Sequence, residues 1–262
     1  MIFVLLACTT PEPEALDTSW TLVWSDTFDG DAGAPPDPAV WVPDVGGDGW
    51  GNDQLEYDTD RVENAALDGS GHLRITALRE DYEGRSYTSA RLTTHGTKTF
   101  GYGRLEADLK LPEGAGLWPA FWMLGANFDE VGWPACGEID VMEAKGEEAD
   151  VTYATVHGPG YSGAGGYGDH YRLRDASFAG GYHTFAVDVD PDHLAFWMDD
   201  TRVMTVRPGD LAGDWVFDDE RFLLLNLAVG GTFVDEPDAD TVFPAVLEVD
   251  AVRAYERTQP AP

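Results

Sequence analysis

Gly137-Glu138-Ile139-Asp140-Val141-Met142-Glu143-Ala144-Lys145-Gly146 (GEIDVMEAKG, residues 137–146) sets three carboxylates at intervals of two and then three residues. That spacing fits no regular strand. Side chains of a strand alternate between faces, so Glu138 and Asp140 share one face while Glu143 points away from it. One extra residue removes the conflict: a β-bulge at Val141-Met142 shifts the alternation by a position and returns Glu143 to the face of the other two. The neighbours Trp133-Pro134-Ala135-Cys136 and Ile139, Val141 and Met142 are apolar, which predicts a central strand rather than a solvated acidic one. With the bulged segment counted as about four regular steps of about 3.3 Å, the two glutamate Cα atoms stand roughly 13 Å apart.

Outward from this segment the chain reads as strands and turns. Arg104 to Leu111 alternates cleanly, with Leu105, Ala107, Leu109 and Leu111 inward and Arg104, Glu106, Asp108 and Lys110 outward. His72 to Leu78 does the same with Leu73, Ile75 and Ala77. Further strands are expected at Trp20 to Trp24, Thr88 to Thr93, Ala120 to Leu124, Val151 to His157, His183 to Val189, Leu194 to Met198, Arg202 to Val206, Phe222 to Val229 and Val246 to Tyr255. Asp199-Asp200 is placed to close a hairpin, and Gly- and Asp-rich turns punctuate the rest. The stretches Phe28 to Gly51 and Gly158 to Gly181 read as long loops rimming a binding face. Many short strands without long helices between them predict an all-β fold: a two-sheet antiparallel β-sandwich, a jelly roll, with a concave cleft.

At 262 residues, with 43% hydrophobic side chains, the chain is long enough for one large core and is expected to be one domain. Its 48 acidic against 16 basic side chains leave a formal charge of -32, which repels nucleic acid, anionic lipid and sulfated or uronic-acid polysaccharides. The N-terminus resembles a bacterial lipoprotein signal, with Leu5-Leu6-Ala7 before Cys8, and Thr9 to Thr18 reads as a tether. The expected organisation is a signal segment at 1–8 with Cys8 as the lipidation site, a tether at 9–19, a β-jelly-roll domain at 20–257 and a tail at 258–262. Such a protein is secreted or held at the cell envelope, touching membrane only through its lipid. With Cys8 so used, Cys136 has no disulfide partner and reads as a small buried thiol.

Three carboxylates in a row repel, so at least one is expected to keep its proton at neutral pH, as a general acid must. Long side chains leaning across the bulge bring Glu138 and Glu143 to about 5 Å, the separation used by retaining glycosidases. A solvated acidic face and an all-carboxylate site for a hard cation are the alternatives. Tryptophans tip the balance: Trp118, Trp122 and Trp133 lie just upstream, with Trp50 and Trp41 in the Gly-rich loops. Indole faces stack on the apolar faces of sugar rings, so a tryptophan-lined cleft beside paired carboxylates suits an oligosaccharide. Trp20, Trp24 and Trp197 are assigned to packing.

The motif W-P-A-C-G-E-I-D-V-M-E, with G-L-W-P-A-F-W-M-L before it, resembles glycoside hydrolase family 16, specifically its bacterial laminarinase-type endo-β-1,3-glucanases with E-x-D-x-x-E on a bulged strand. LVWSDTFDG, GWGNDQLEY, YTSARLTT, GYGRLEADLKLP, ATVHG, LLLNLAVGG and VDAVRAY extend the resemblance from Trp20 to Tyr255. It implies that Glu138 is the nucleophile, Glu143 the acid/base and Asp140 the group that tunes the nucleophile, roles that the spacing alone does not order. It further implies that His157 bonds to the acid/base, and that Asn52, Arg91, Trp118, Trp122 and Trp133, with Asn226, line the glucan cleft on its donor side. The implied substrate is a neutral β-1,3-glucan, extending to mixed-linkage glucan, cleaved by a monomer with no cofactor in catalysis. Agarase-type, transglycosylating and non-catalytic glucan-binding members of the same fold stay open. Thr27 stands where many relatives carry a glutamate near a structural calcium, to which Asp250 would contribute, and Phe233 where they more often carry tryptophan.

Overall fold

The computed structural model describes residues 20–258; Cys8, the expected signal and tether, and residues 259–262 of the tail lie outside them. Among the described residues the chain forms β1 (Trp20–Asp26), β2 (Val42–Asp44), β3 (Glu56–Asp58), β4 (Ala65–Leu67), β5 (Leu73–Tyr82), β6 (Arg85–Ser89), β7 (Arg91–Thr93), β8 (Gly103–Lys110) and β9 (Leu117–Gly125). One short α-helix, α1 (Phe128–Val131), precedes β10 (Glu138–Ala144), β11 (Val151–His157), β12 (Tyr167–Arg172), β13 (His183–Asp190), β14 (His193–Met198), β15 (Thr201–Val206), β16 (Arg221–Val229) and β17 (Ala245–Arg257).

These strands make two sheets, as the alternation predicts. The ten-stranded sheet runs β15-β14-β13-β8-β17-β5-β6-β3, with β1 added on β17 and β4 on β5. The seven-stranded sheet runs β12-β11-β10-β9-β16-β7-β2. Pairing is antiparallel apart from the parallel contact of β3 with β6. In β8 the inward set Leu105, Ala107 and Leu109 is buried, while Arg104, Glu106 and Asp108 face out into ion pairs with Asp188 and Arg253. From the other sheet Phe121, Met123, Leu223, Leu225 and Leu227 meet them in one continuous core. Each such side chain, once buried, contributes about 1.5–3 kcal/mol.

Two expected loops are more ordered than the sequence suggests. The 158–181 segment contains β12, which extends the small sheet beyond β11, and the 28–51 segment contains β2 on its opposite edge. Trp41, expected at the binding face, is instead a core residue at 1% exposure, its indole N–H donating to Asp26 Oδ2 at 2.8 Å. The Asp199-Asp200 hairpin between β14 and β15 forms as expected. Cys136 is a buried thiol.

Candidate active site

The bulge lies where the carboxylate spacing requires it. Against β11, Asp140 pairs with Thr155 and Glu143 with Tyr153, three residues opposite two; against β9, Asp140 pairs with Trp122 and Met142 with Phe121, two opposite one. Ile139, Val141, Met142 and Ala144 therefore all enter the core, and Glu138, Asp140 and Glu143 stay on the concave face. Without the extra residue an acid would be driven into the core, at an effective cost of several kcal/mol for an unpaired charge. Gly137 makes the strand entry possible: it sits at φ +77°, and a Cβ there would come within 2.9 Å of the Val216 carbonyl oxygen.

Each outer acid receives one indole N–H. Trp133 Nε1 donates to Glu138 Oε2 at 2.6 Å, and Trp118 Nε1 donates to Glu143 Oε1 at 2.9 Å. Asp140, buried between them, has no such donor. Its Oδ2 lies 3.2 Å from His157 Nε2 but outside hydrogen-bond geometry, which leaves that oxygen without a partner. The same imidazole nitrogen stands 3.8 Å from Glu138 Oε1. His157 thus faces Glu138 and Asp140 rather than Glu143, a correction to the expected pairing. The reason lies in the register: His157 is directly opposite Glu138 across β10 and β11. Gly166 closes over it, for any Cβ there would strike the ring at 2.4 Å.

All three carboxyls hold their protons more tightly than in water. Burial, with Asp140 as the next cause, pushes Glu138 up to about 8; burial, with Glu138 next, pushes Glu143 up to about 7. Asp140 is raised well above its ordinary value by burial and then by Glu143. The row therefore keeps a proton through neutral pH and offers both an acid and a base within one site. Glu138, Asp140 and His157 also place one ligand atom each within 4.8 Å of one another. Around Asp250 no group of three carboxylate or imidazole ligands forms among the described residues. Its near neighbour is His72 Nε2 at 3.5 Å, and the Thr27 hydroxyl is turned to Asp29.

Beyond β9 the cleft is floored by a stack. The Arg91 guanidinium lies 4.6 Å from the Trp50 ring centre and 4.7 Å from that of Trp122, and its Nε donates to Asp44 Oδ2 at 3.0 Å. Trp122 Nε1 donates to Asn226 Oδ1 at 2.7 Å, and Trp50 Nε1 to Asp58 Oδ2 at 2.8 Å. Asn52 is exposed in the adjoining loop, where its carbonyl accepts the Thr232 N–H. The expected residues Trp118, Trp122, Trp133, His157, Arg91 and Asn226 are thus linked to the acids or to one another. Asp44, Asp58 and Tyr153 were not foreseen as site residues, whereas Phe233 was singled out by the resemblance as standing where relatives carry tryptophan. Tyr153 had a signal, since period-two counting back from His157 puts it on the same face.

Comparison with known proteins agrees with this geometry. The family model of glycosyl hydrolases family 16 matches residues 50–226. A beta-glucanase of Rhodothermus marinus is 40% identical over 267 residues, covering 97% of this chain and 92% of that protein. Among solved structures, the laminarinase catalytic domain of Thermotoga maritima superposes with a TM-score of 0.87 at 41% identity, covering 92% of this chain and 100% of that one. The laminarinase of Rhodothermus marinus gives 0.84 at 41% identity, covering 92% and 98%. With its acid row on a bulged strand, a tryptophan-lined groove and these relatives across nearly all of its length, the chain belongs to glycosyl hydrolases family 16.

Proposed function

We propose that the protein is a retaining, endo-acting hydrolase of β-1,3-glucan, extending to mixed-linkage β-1,3-1,4-glucan. The bulge that sets Glu138 and Glu143 on one face, each beneath an indole N–H, is the observation that carries this reading. Glu138 attacks the anomeric carbon while Glu143 protonates the departing glycosidic oxygen; Glu143, now a base, then takes a proton from the water that cleaves the glycosyl ester. The order of roles follows the E-x-D-x-x-E resemblance. Asp140, between the two, shares the row's proton and keeps the negative charge from settling on all three.

Trp122, Asn226, Arg91 and Asn52 line the donor side, where stacked rings and polar edges suit a neutral sugar chain. No step in this scheme calls for a cofactor. A reducing-end assay on laminarin tests it. The wild-type protein is expected to release new ends and Glu138→Gln to lose the activity by at least about 10³-fold. A purely glucan-binding protein would retain laminarin on a column and release none. We further infer secretion with acylation at Cys8 and function as a monomer; radiolabelled palmitate incorporated by the wild type but not by Cys8→Ser is the expected outcome.

A further inference from the structure

Trp50 lies against Arg91, yet its backbone belongs to neither sheet. It sits in the loop between β2 and β3 at φ +52°, a left-handed conformation that a bulky side chain keeps only where its surroundings enforce it. Arg91 is on β7 and Trp122, the other ring against that guanidinium, is on β9, so both of these partners come from the seven-stranded sheet. The loop's own hydrogen bonds hold its backbone. The Trp50 N–H donates to Asp48 Oδ1 at 3.2 Å, and the Thr232 N–H donates to the Asn52 carbonyl at 2.8 Å. Neither bond fixes the indole.

Asp58 supplies what the loop does not. Its Oδ2 accepts the Trp50 Nε1–H at 2.8 Å from a side chain on β3, in the ten-stranded sheet. The backbone beneath that carboxyl is fastened on both sides: the Asp58 N–H donates to the Gly46 carbonyl at 2.8 Å, the Asp58 carbonyl accepts the Gly46 N–H at 3.1 Å, and β6 pairs Asp58 with Ser89. Two residues earlier, the bond from the Val229 N–H to Glu56 ties β3 to the end of β16. An acceptor anchored this firmly fixes where the ring nitrogen lies, and with it the plane of the ring. The bond therefore joins the large sheet to a platform whose other two members are carried by the small one.

We propose that Asp58 is a positioning residue: it touches no sugar, and by holding Trp50 Nε1 it keeps Trp50, Arg91 and Trp122 aligned as the platform for the donor-side sugars. The inference rests on the proposed binding of glucan in this cleft. A ring that must be ordered when the chain arrives costs affinity, whereas one already held does not. The cut itself takes place at β10. Loss of the bond therefore weakens binding of ground state and transition state alike, raising KM and leaving kcat near its wild-type value.

The test measures laminarin affinity by titration calorimetry in the Glu138→Gln background, where the chain is bound and not cut, and kcat and KM for the same changes made in the wild type. We expect Asp58→Ala to raise Kd and KM about fivefold, and Trp50→Phe, which keeps a ring and removes the N–H, about threefold, both with kcat within about twofold of wild type. Asp58→Asn, whose amide oxygen still accepts the indole N–H, should restore both constants. Trp50→Phe leaves β3 untouched, so it decides the matter should Asp58→Ala fail to fold. Wild-type Kd in the folded variants that lack the bond would overturn the proposal, as would an Asp58→Asn that binds as weakly as Asp58→Ala. Absence of new reducing ends from the wild type would overturn the hydrolase reading, and the Kd comparison would still decide the role of Asp58. No binding of laminarin by Glu138→Gln would overturn both.

Discussion

Two groups of buried carboxyls lie along this cleft, and they differ in what their oxygens can reach. Glu138, Asp140 and Glu143 form one. Glu56 and Asp58, on β3 behind the Trp50 platform, form the other, at 1% and 2% exposure. Both groups are pulled up chiefly by burial: Asp58 to about 7, and Glu56 well above its ordinary value with Asp58 as the next cause. In the β3 pair every oxygen faces protein. Glu56 Oε2 accepts the Val229 N–H at 2.8 Å, Asp58 Oδ2 accepts the Trp50 indole, and Glu56 Oε1 and Asp58 Oδ1 are sealed without partners. In the β10 row the outer acids remain partly open to the groove. A raised carboxyl pKa therefore marks burial; catalysis needs an oxygen that a substrate can touch.

The comparison breaks most sharply at the β10 acids. Glu138→Gln and Glu143→Gln are each expected to lower kcat on laminarin by at least about 10³-fold with the far-UV spectrum unchanged. The pH profile separates the groups too. The row must hold one proton to supply the acid, so the alkaline limb of kcat/KM should fall between about 7 and about 8, the values to which Glu143 and Glu138 are raised. A limb near pH 5 would contradict a buried row.

The β3 pair is expected to act on stability. An acid whose folded pKa is raised keeps its proton when the unfolded chain has lost it, so stability is fully present below the unfolded carboxyl value. It falls as pH rises to the folded value, about 7 for Asp58. Asp58→Asn keeps an acceptor for the Trp50 indole and removes that loss. Urea unfolding should show a gain on the order of 1–3 kcal/mol at pH 8 and a smaller one at pH 5. Trp133→Phe comes next: loss of the N–H on Glu138 should lower kcat about tenfold, the worth of one hydrogen bond to a charged group at about 1.4 kcal/mol. Smallest is Glu56→Gln, whose laminarin kcat should stay within about twofold of wild type, as expected of a group that touches no substrate.

The sequence carries the fold wherever one face is wet and the other dry. Arg104 to Leu111 shows this, and so does the acid spacing of β10, where a departure from period two is itself the signal. β12 was illegible because Tyr167-Gly168-Asp169-His170 is almost wholly exposed and reads as loop; it becomes a strand by pairing with β11. Trp41 looked like a cleft residue because its partner, Asp26, lies fifteen positions away. Glu56 and Asp58 flank Tyr57 in an ordinary polar stretch; the backbone N–H that Glu56 accepts belongs to Val229, 173 residues on. The Glu138 and Glu143 positions were readable because chemistry fixes their spacing. Which of the acids His157 faces depends on cross-strand register, which no local pattern encodes.

The claim that one bulged strand brings a nucleophile and an acid to the same bond is tested most directly by the stereochemistry of the first product. In a proton NMR time course of laminarin hydrolysis, the newly formed reducing ends should appear first as the β-anomer and only later mutarotate, the signature of two displacements at Glu138. New ends appearing first as the α-anomer would mean a single displacement by water, and would contradict it.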